Sequence, residues 1–214
     1  MRGPGLSALR HLPNALTLFR LVLAGVFFVV LNTYQYPEGP GVSLACAVAV
    51  FGLAALTDWL DGFLARRWQV ETAFGRIMDP FCDKVLVLGA FIYLAGPRFA
   101  DPRSAEHVVT ASGVYPWMVA TMLARELLVT AIRAELEERG IRFGANIWGK
   151  LKTTLQLICV PIVIVIVAFD PHVDGRSGLA IGRDVLVYAT VIATVASGVP
   201  YVTGAIRAAK GSGV

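Results

Sequence analysis

Apolar residues in this chain come in long blocks separated by short polar stretches. Scanned at the width of a bilayer-crossing helix, about 20 residues, the blocks fall at 15–32, 43–62, 79–96, 114–133, 149–169 and 184–206. They predict an all-α integral membrane fold of six transmembrane helices, one domain over 1–214, with a short amphipathic segment at 1–14. The first block follows Arg2 and Arg10 as a signal peptide would. It runs on to Leu31 without a small-residue cleavage site, and five more blocks follow, so it is expected to remain as the first span.

Composition supports the membrane class. Over 214 residues, 56% are hydrophobic and 16% charged, and the mean hydropathy of +0.66 exceeds that of an ordinary soluble domain. Cys46, Cys82 and Cys159 stand singly in apolar segments, without metal-ligand spacing, and read as packing residues. His11, His107 and His172 are scattered and receive no metal role. Arg2, Arg10, Arg66, Arg67, Arg76, Arg139, Arg142, Lys150, Lys152, Arg207 and Lys210 lie on one set of segments, the termini and those around the 63–78 and 134–148 connections, whereas 33–42, 97–113 and 170–183 hold only Arg98, Arg103, Arg176 and Arg183. By the positive-inside rule the termini and the first two connections are expected in the cytoplasm. The net charge of +4 is concentrated on that face, where it suits anionic lipid headgroups. The basic residues are spread over membrane-proximal connections and match no nucleic-acid-binding motif, which disfavours that partner.

The stretch 58–83, "DWLDGFLARRWQVETAFGRIMDPFCD", breaks the apolar pattern with four aspartates and three arginines. On a helix Asp58, Asp61, Gly62, Ala65 and Arg66 share one face, the spacing that normally marks a buried apolar stripe. Gly and Ala leave room for a bulky group against the backbone, and the charges imply that this group is polar. Gly75, Asp79 and Asp83 repeat the logic at a spacing of four. Four carboxylates converging at low dielectric need a neutralising partner. Hard divalent cations with oxygen ligands provide one, and a pair of them is a recurrent arrangement for displacement at phosphorus. With no His or Cys cluster nearby, Mg²⁺ or Mn²⁺ is favoured over Zn²⁺. The plainer alternative is solvated loop charges paired with Arg66, Arg67 and Arg76.

The pattern Asp58-x-x-Asp61-Gly62-x-x-Ala65-Arg66, eight residues, then Gly75-x-x-x-Asp79-x-x-x-Asp83 resembles the signature of the CDP-alcohol phosphotransferases at all eight positions. The resemblance implies a di-metal centre ligated by Asp58, Asp61, Asp79 and Asp83, with Asp83 also the proton acceptor. It implies that Gly62, Ala65, Arg66 and Gly75 shape the CDP-lipid site, with Arg66 at the diphosphate and Thr72 bordering the nucleotide. It also implies homodimers.

Outside the signature, Asn14 and Thr17 precede Arg20 in "LPNALTLFR". They read either as an ordinary helix start or, by the resemblance, as polar groups that hold the CDP-lipid. Arg125 and Glu126 lie inside an apolar span, where ionisable residues are functional by default and pair with each other. Arg125 and Arg133 are eight apart and share a face, and Lys150 and Lys152 open the next helix. This cluster suits a phosphate-bearing acceptor, or else Arg133, Lys150 and Lys152 are interfacial anchors. Together with "MDPFCDKVLV", these segments are similar to bacterial family members that transfer a phosphatidyl group to glycerol 3-phosphate. The similarity runs through most of 12–156; beyond about 157 only hydrophobicity matches.

The expectation is therefore a metal-dependent transferase of phospholipid biosynthesis in the bacterial cytoplasmic membrane, with a polar cavity facing the cytoplasm. CDP-diacylglycerol plus glycerol 3-phosphate would give phosphatidylglycerophosphate and CMP. The family alternative is cardiolipin synthase, with phosphatidylglycerol as acceptor. From another class, a divalent-cation transporter would need midplane charges in several spans or internal pseudo-symmetry, and neither is visible.

Overall fold

The computed structural model describes residues 5–37, 41–68, 73–102, 109–138, 140, 147–170 and 177–211; within these, the side chains of 5–14, 61–68, 73–77, 79, 80, 83 and 209–211 lie outside the description. The described chain is helical: α1 (Gly5–Thr33), α2 (Gly41–Trp68), α3 (Ala73–Leu94), α4 (Pro116–Glu138), α5 (Ile147–Phe169), α6 (Gly178–Ala196) and α7 (Val199–Gly211), with a 3₁₀ turn at Pro97–Phe99. In hydrocarbon every backbone polar group needs a partner within the segment, and an α-helix supplies it.

The first five predicted spans each correspond to one helix. The sixth is two, because the helix expected over 184–206 starts at Gly178 and breaks at Ser197–Gly198. From Gly5 the N-terminal segment is helical, and α1 runs without interruption from there into the first span. Ala15–Thr33, Gly41–Leu60, Ile147–Phe169 and Gly178–Ala208 are long and apolar enough to cross a membrane. Among the described residues of α3, Lys84–Leu94 is a shorter apolar helix. Among the described residues α4 is not such a span, and Arg125, Glu126 and Arg133 interrupt its apolar run.

α1 packs against α2 and α3, α2 also against α5, α3 also against α4 and α5, α5 against α6, and α4 against α6 and α7. Phe27, Phe51, Phe91, Met118, Ile164 and Val187 fill the shared core. Outward stripes stay apolar: Val22, Val26 and Val29 on α1, Ile158, Ile162 and Val165 on α5, Val185, Ile192 and Val195 on α6 are all exposed. Residues at this spacing face lipid rather than water. Small residues let membrane helices approach closely: a Cβ at Gly89 of α3 would run into the Phe28 ring of α1, and that ring stacks on Tyr93 at 5.1 Å.

By alternation, the described parts of the connections after α1, α3 and α5 share one end of the bundle. Tyr36 N–H donates to Arg98 O at 2.9 Å, Ser112 Oγ to Leu94 O at 2.6 Å, and Arg98 Nη1 to Gln35 Oε1 at 3.1 Å. Arg183, expected in a polar connection, lies inside α6 and is buried. Its Nη1 donates to Ala111 O at 2.6 Å and its Nη2 pairs with Asp184 at 2.7 Å. The basic residues described at this end are thus structural ties.

Candidate active site at one end of the bundle

α2 stays helical through Trp68 and α3 begins at Ala73, so 58–66 and 75–83 occupy two helices joined by the 69–72 connection. The Asp58 side chain is 49% exposed and pairs at 2.7 Å with Nη1 of Arg20, which is buried. Arg20 reaches it from α1, one turn beyond the buried Thr17. Thr17 O lies 3.9 Å from Cys82 Sγ, so α1 also touches α3 beside Asp83. Thr17, Arg20, Asp58 and Cys82 tie three helices together at the level of the signature. The side chains of Asn14, Asp61, Gly62, Ala65, Arg66, Gly75, Asp79 and Asp83, and all of Thr72, fall outside the described residues, as do the His11 side chain, His107 and His172. The half-exposed Asp58 carboxylate is a hard oxygen donor open to the surface, a donor type that suits Mg²⁺ or Mn²⁺.

A cavity of about 870 Å³ opens between α3, α4, α5 and α7. Arg125, Arg133, Lys150 and Lys152 all line it, joined by Lys84, Glu126, Glu137, Thr130 and Tyr201. The eight-residue spacing on α4 brings both arginines to one wall, and α5 presents Lys150 and the buried Lys152 opposite. Glu126, also buried, accepts from Arg125 Nη1 at 3.0 Å and from Lys152 Nζ. Arg125 Nη2 donates to Ser197 Oγ at 2.7 Å. Its buried Nε has no hydrogen-bond partner among the described residues. Arg133 Nη2 donates to the Tyr201 hydroxyl at 2.8 Å, and Lys84 Nζ to Thr130 Oγ1 at 2.8 Å.

Five basic side chains and two carboxylates leave the cavity wall with an excess of positive charge. Such a wall attracts an anion, and guanidinium forks recognise phosphate by charge-assisted hydrogen bonds. Lys84 follows Asp83 directly on α3, which puts the cavity next to the carboxylate-bearing helix.

Sequence reasoning found the arginines and lysines but assigned no role to Lys84, Thr130, Ser197 or Tyr201. Lys84 carried a usable signal, an ionisable residue in a predicted span. Ser197 and Tyr201 carried none, because a hydroxyl in an apolar run has meaning only when its neighbour in space is known. Cys82 and Cys159 are buried and Cys46 is exposed; all three are free thiols.

The family model of the CDP-alcohol phosphatidyltransferases matches residues 10–199. The chain is 39% identical over 156 residues to a CDP-diacylglycerol–glycerol-3-phosphate 3-phosphatidyltransferase of Salmonella paratyphi A, covering 70% of this chain and 74% of the relative. Proteins of the same name from Sodalis glossinidius and Escherichia coli K12 are 39% and 38% identical over the same length and coverage.

Proposed function

The chain belongs to the CDP-alcohol phosphatidyltransferase family, and from that premise we propose that it transfers the phosphatidyl group of CDP-diacylglycerol to glycerol 3-phosphate, giving phosphatidylglycerophosphate and CMP. The observation that carries the choice of acceptor is the cationic cavity: Arg125, Arg133, Lys150 and Lys152 share one 870 Å³ space with Lys84, the residue after Asp83.

In this reading Asn14, Thr17, Gly62, Ala65, Arg66, Thr72 and Gly75 receive the CDP-lipid, with Arg66 at the diphosphate. The lipid tails lie between helices whose outward faces are apolar. Arg125, Arg133, Lys150 and Lys152 hold the acceptor's phosphate and direct its hydroxyl toward α3. Asp83 takes the hydroxyl proton as the oxygen bonds to the phosphatidyl phosphorus. The bond from that phosphorus to the CMP oxygen breaks, and CMP departs. Asp58, Asp61, Asp79 and Asp83 would hold two Mg²⁺ or Mn²⁺ ions, which when bound neutralise the diphosphate and make CMP a better leaving group. Arg20 holds Asp58 in place from α1. The asymmetry of basic residues supports an orientation with both termini and the site on the cytoplasmic face of a bacterial membrane.

The test uses purified protein in detergent, given CDP-diacylglycerol, Mg²⁺ or Mn²⁺, and one acceptor at a time: glycerol 3-phosphate, phosphatidylglycerol, inositol phosphate or serine. CMP release is expected with glycerol 3-phosphate and not after chelation of the metal. Release only with phosphatidylglycerol would transfer the chain to cardiolipin synthesis, and no metal-dependent release with any acceptor would remove the proposal.

A further inference from the structure

The break in the last span lies against the cavity's two arginines. Ser197 and Gly198 interrupt the helix between α6 and α7. The Ser197 hydroxyl donates to Thr194 O at 2.7 Å, which fixes its rotor and leaves its lone pairs for Arg125 Nη2, 2.7 Å away. Gly198 passes close enough that a Cβ there would sit 3.4 Å from Arg125 Cγ. One turn on, the buried Tyr201 is held to Arg133 twice. Its hydroxyl accepts from Nη2 at 2.8 Å, and the guanidinium carbon lies 5.3 Å from the ring centroid.

Two arginines eight apart on α4 are therefore gripped by Ser197 at the α6–α7 break and by Tyr201 in the first turn of α7, four residues on. An unrestrained arginine loses rotamer freedom when it binds an anion, and that loss weakens binding. A guanidinium already held by a hydroxyl or an aromatic ring presents its remaining N–H groups with less of that penalty.

We propose that Ser197 and Tyr201 are positioning residues of the acceptor pocket, which fix Arg125 and Arg133 for a small phosphate monoester. This inference rests on the acceptor assigned above and adds to it two residues at the C-terminal edge of the family match, which extends past 157 to residue 199 and so beyond hydrophobicity alone. Neither residue touches the reacting atoms; each acts through an arginine.

Tyr201→Phe removes the hydrogen bond and keeps the ring; Tyr201→Leu removes both; Ser197→Ala removes the grip on Arg125. In CMP-release kinetics, Tyr201→Phe and Ser197→Ala are each expected to raise KM for glycerol 3-phosphate about three- to tenfold. Tyr201→Leu should raise it further, by about tenfold or more. KM for CDP-diacylglycerol should not move, and kcat should fall by a smaller factor than KM rises. Equilibrium binding of labelled glycerol 3-phosphate without CDP-lipid should weaken by the same factors, a readout that does not depend on turnover. If Tyr201→Leu does not fold, the Phe and Ala variants decide. Unchanged KM and binding in both, or equal rises in KM for both substrates, would overturn the positioning role. Wild-type protein that neither binds glycerol 3-phosphate nor releases CMP with any phosphate-bearing acceptor would instead overturn the acceptor assignment, and this inference with it.

Discussion

At the scale of single residues, Glu126 governs how much of the cavity's positive charge is available. It is buried, it contacts Arg125 at 3.0 Å, and it takes the Lys152 ammonium as well. Without it two cations would face each other away from water, and breaking a buried pair by deleting one partner costs more than the pair contributes. Glu126→Gln should lower stability by about 2–4 kcal/mol, read as a lower midpoint of thermal unfolding in detergent. A midpoint equal to or above wild type would show that Glu126 does not hold the two cations. Asp83 makes a separate prediction. Asp83→Asn should reduce turnover by about 100-fold or more through loss of the proton acceptor, while labelled CDP-diacylglycerol still binds. Unchanged turnover would remove Asp83 from that role. Arg125 and Glu126 were legible as a pair because ionisable groups in an apolar span stand out. The third member, Lys152, was legible only as a charge near a helix start.

At the scale of elements, close approach matters more than apolarity. Gly89 lets α3 lie on the Phe28 ring of α1, whereas a Cβ at Gly25 of α1 would meet nothing within 4 Å, and Gly25 is exposed. Gly89→Val should cost about 1–3 kcal/mol by overpacking, and Gly25→Val less than about 0.5 kcal/mol, compared by thermal unfolding. Equal effects would show that the α1–α3 approach is not limiting. Five helices were readable from hydrophobic block length. The broken sixth was not, because Ser197 and Gly198 sit within an apolar run that still measures as one span from Gly178 to Ala208. The break becomes understandable only against Arg125, a residue 72 positions away in sequence.

At the scale of the whole molecule, the two ends of the bundle are built differently. At one end Arg98 and Arg183 are engaged in loop ties to Gln35, Ala111 and Asp184. At the other, basic residues line a cavity that α3, the helix of Asp79 and Asp83, enters through Lys84. Spacing along α2 and α3 puts the aspartates of each helix on one face, since helical periodicity is a local property. The cavity was partly legible: the α4 arginines share a face by spacing, but Lys84 and Tyr201 enter it from other helices, and pairing between helices is not written in any one segment.

This cavity is expected to select a water-soluble phosphate monoester as the acceptor of the phosphatidyl group. The most direct measurement is a competition in which the purified protein receives CDP-diacylglycerol, divalent metal and equal concentrations of glycerol 3-phosphate and phosphatidylglycerol, with the lipid products identified by mass. Phosphatidylglycerophosphate is expected to predominate, and cardiolipin as the main product would contradict the claim.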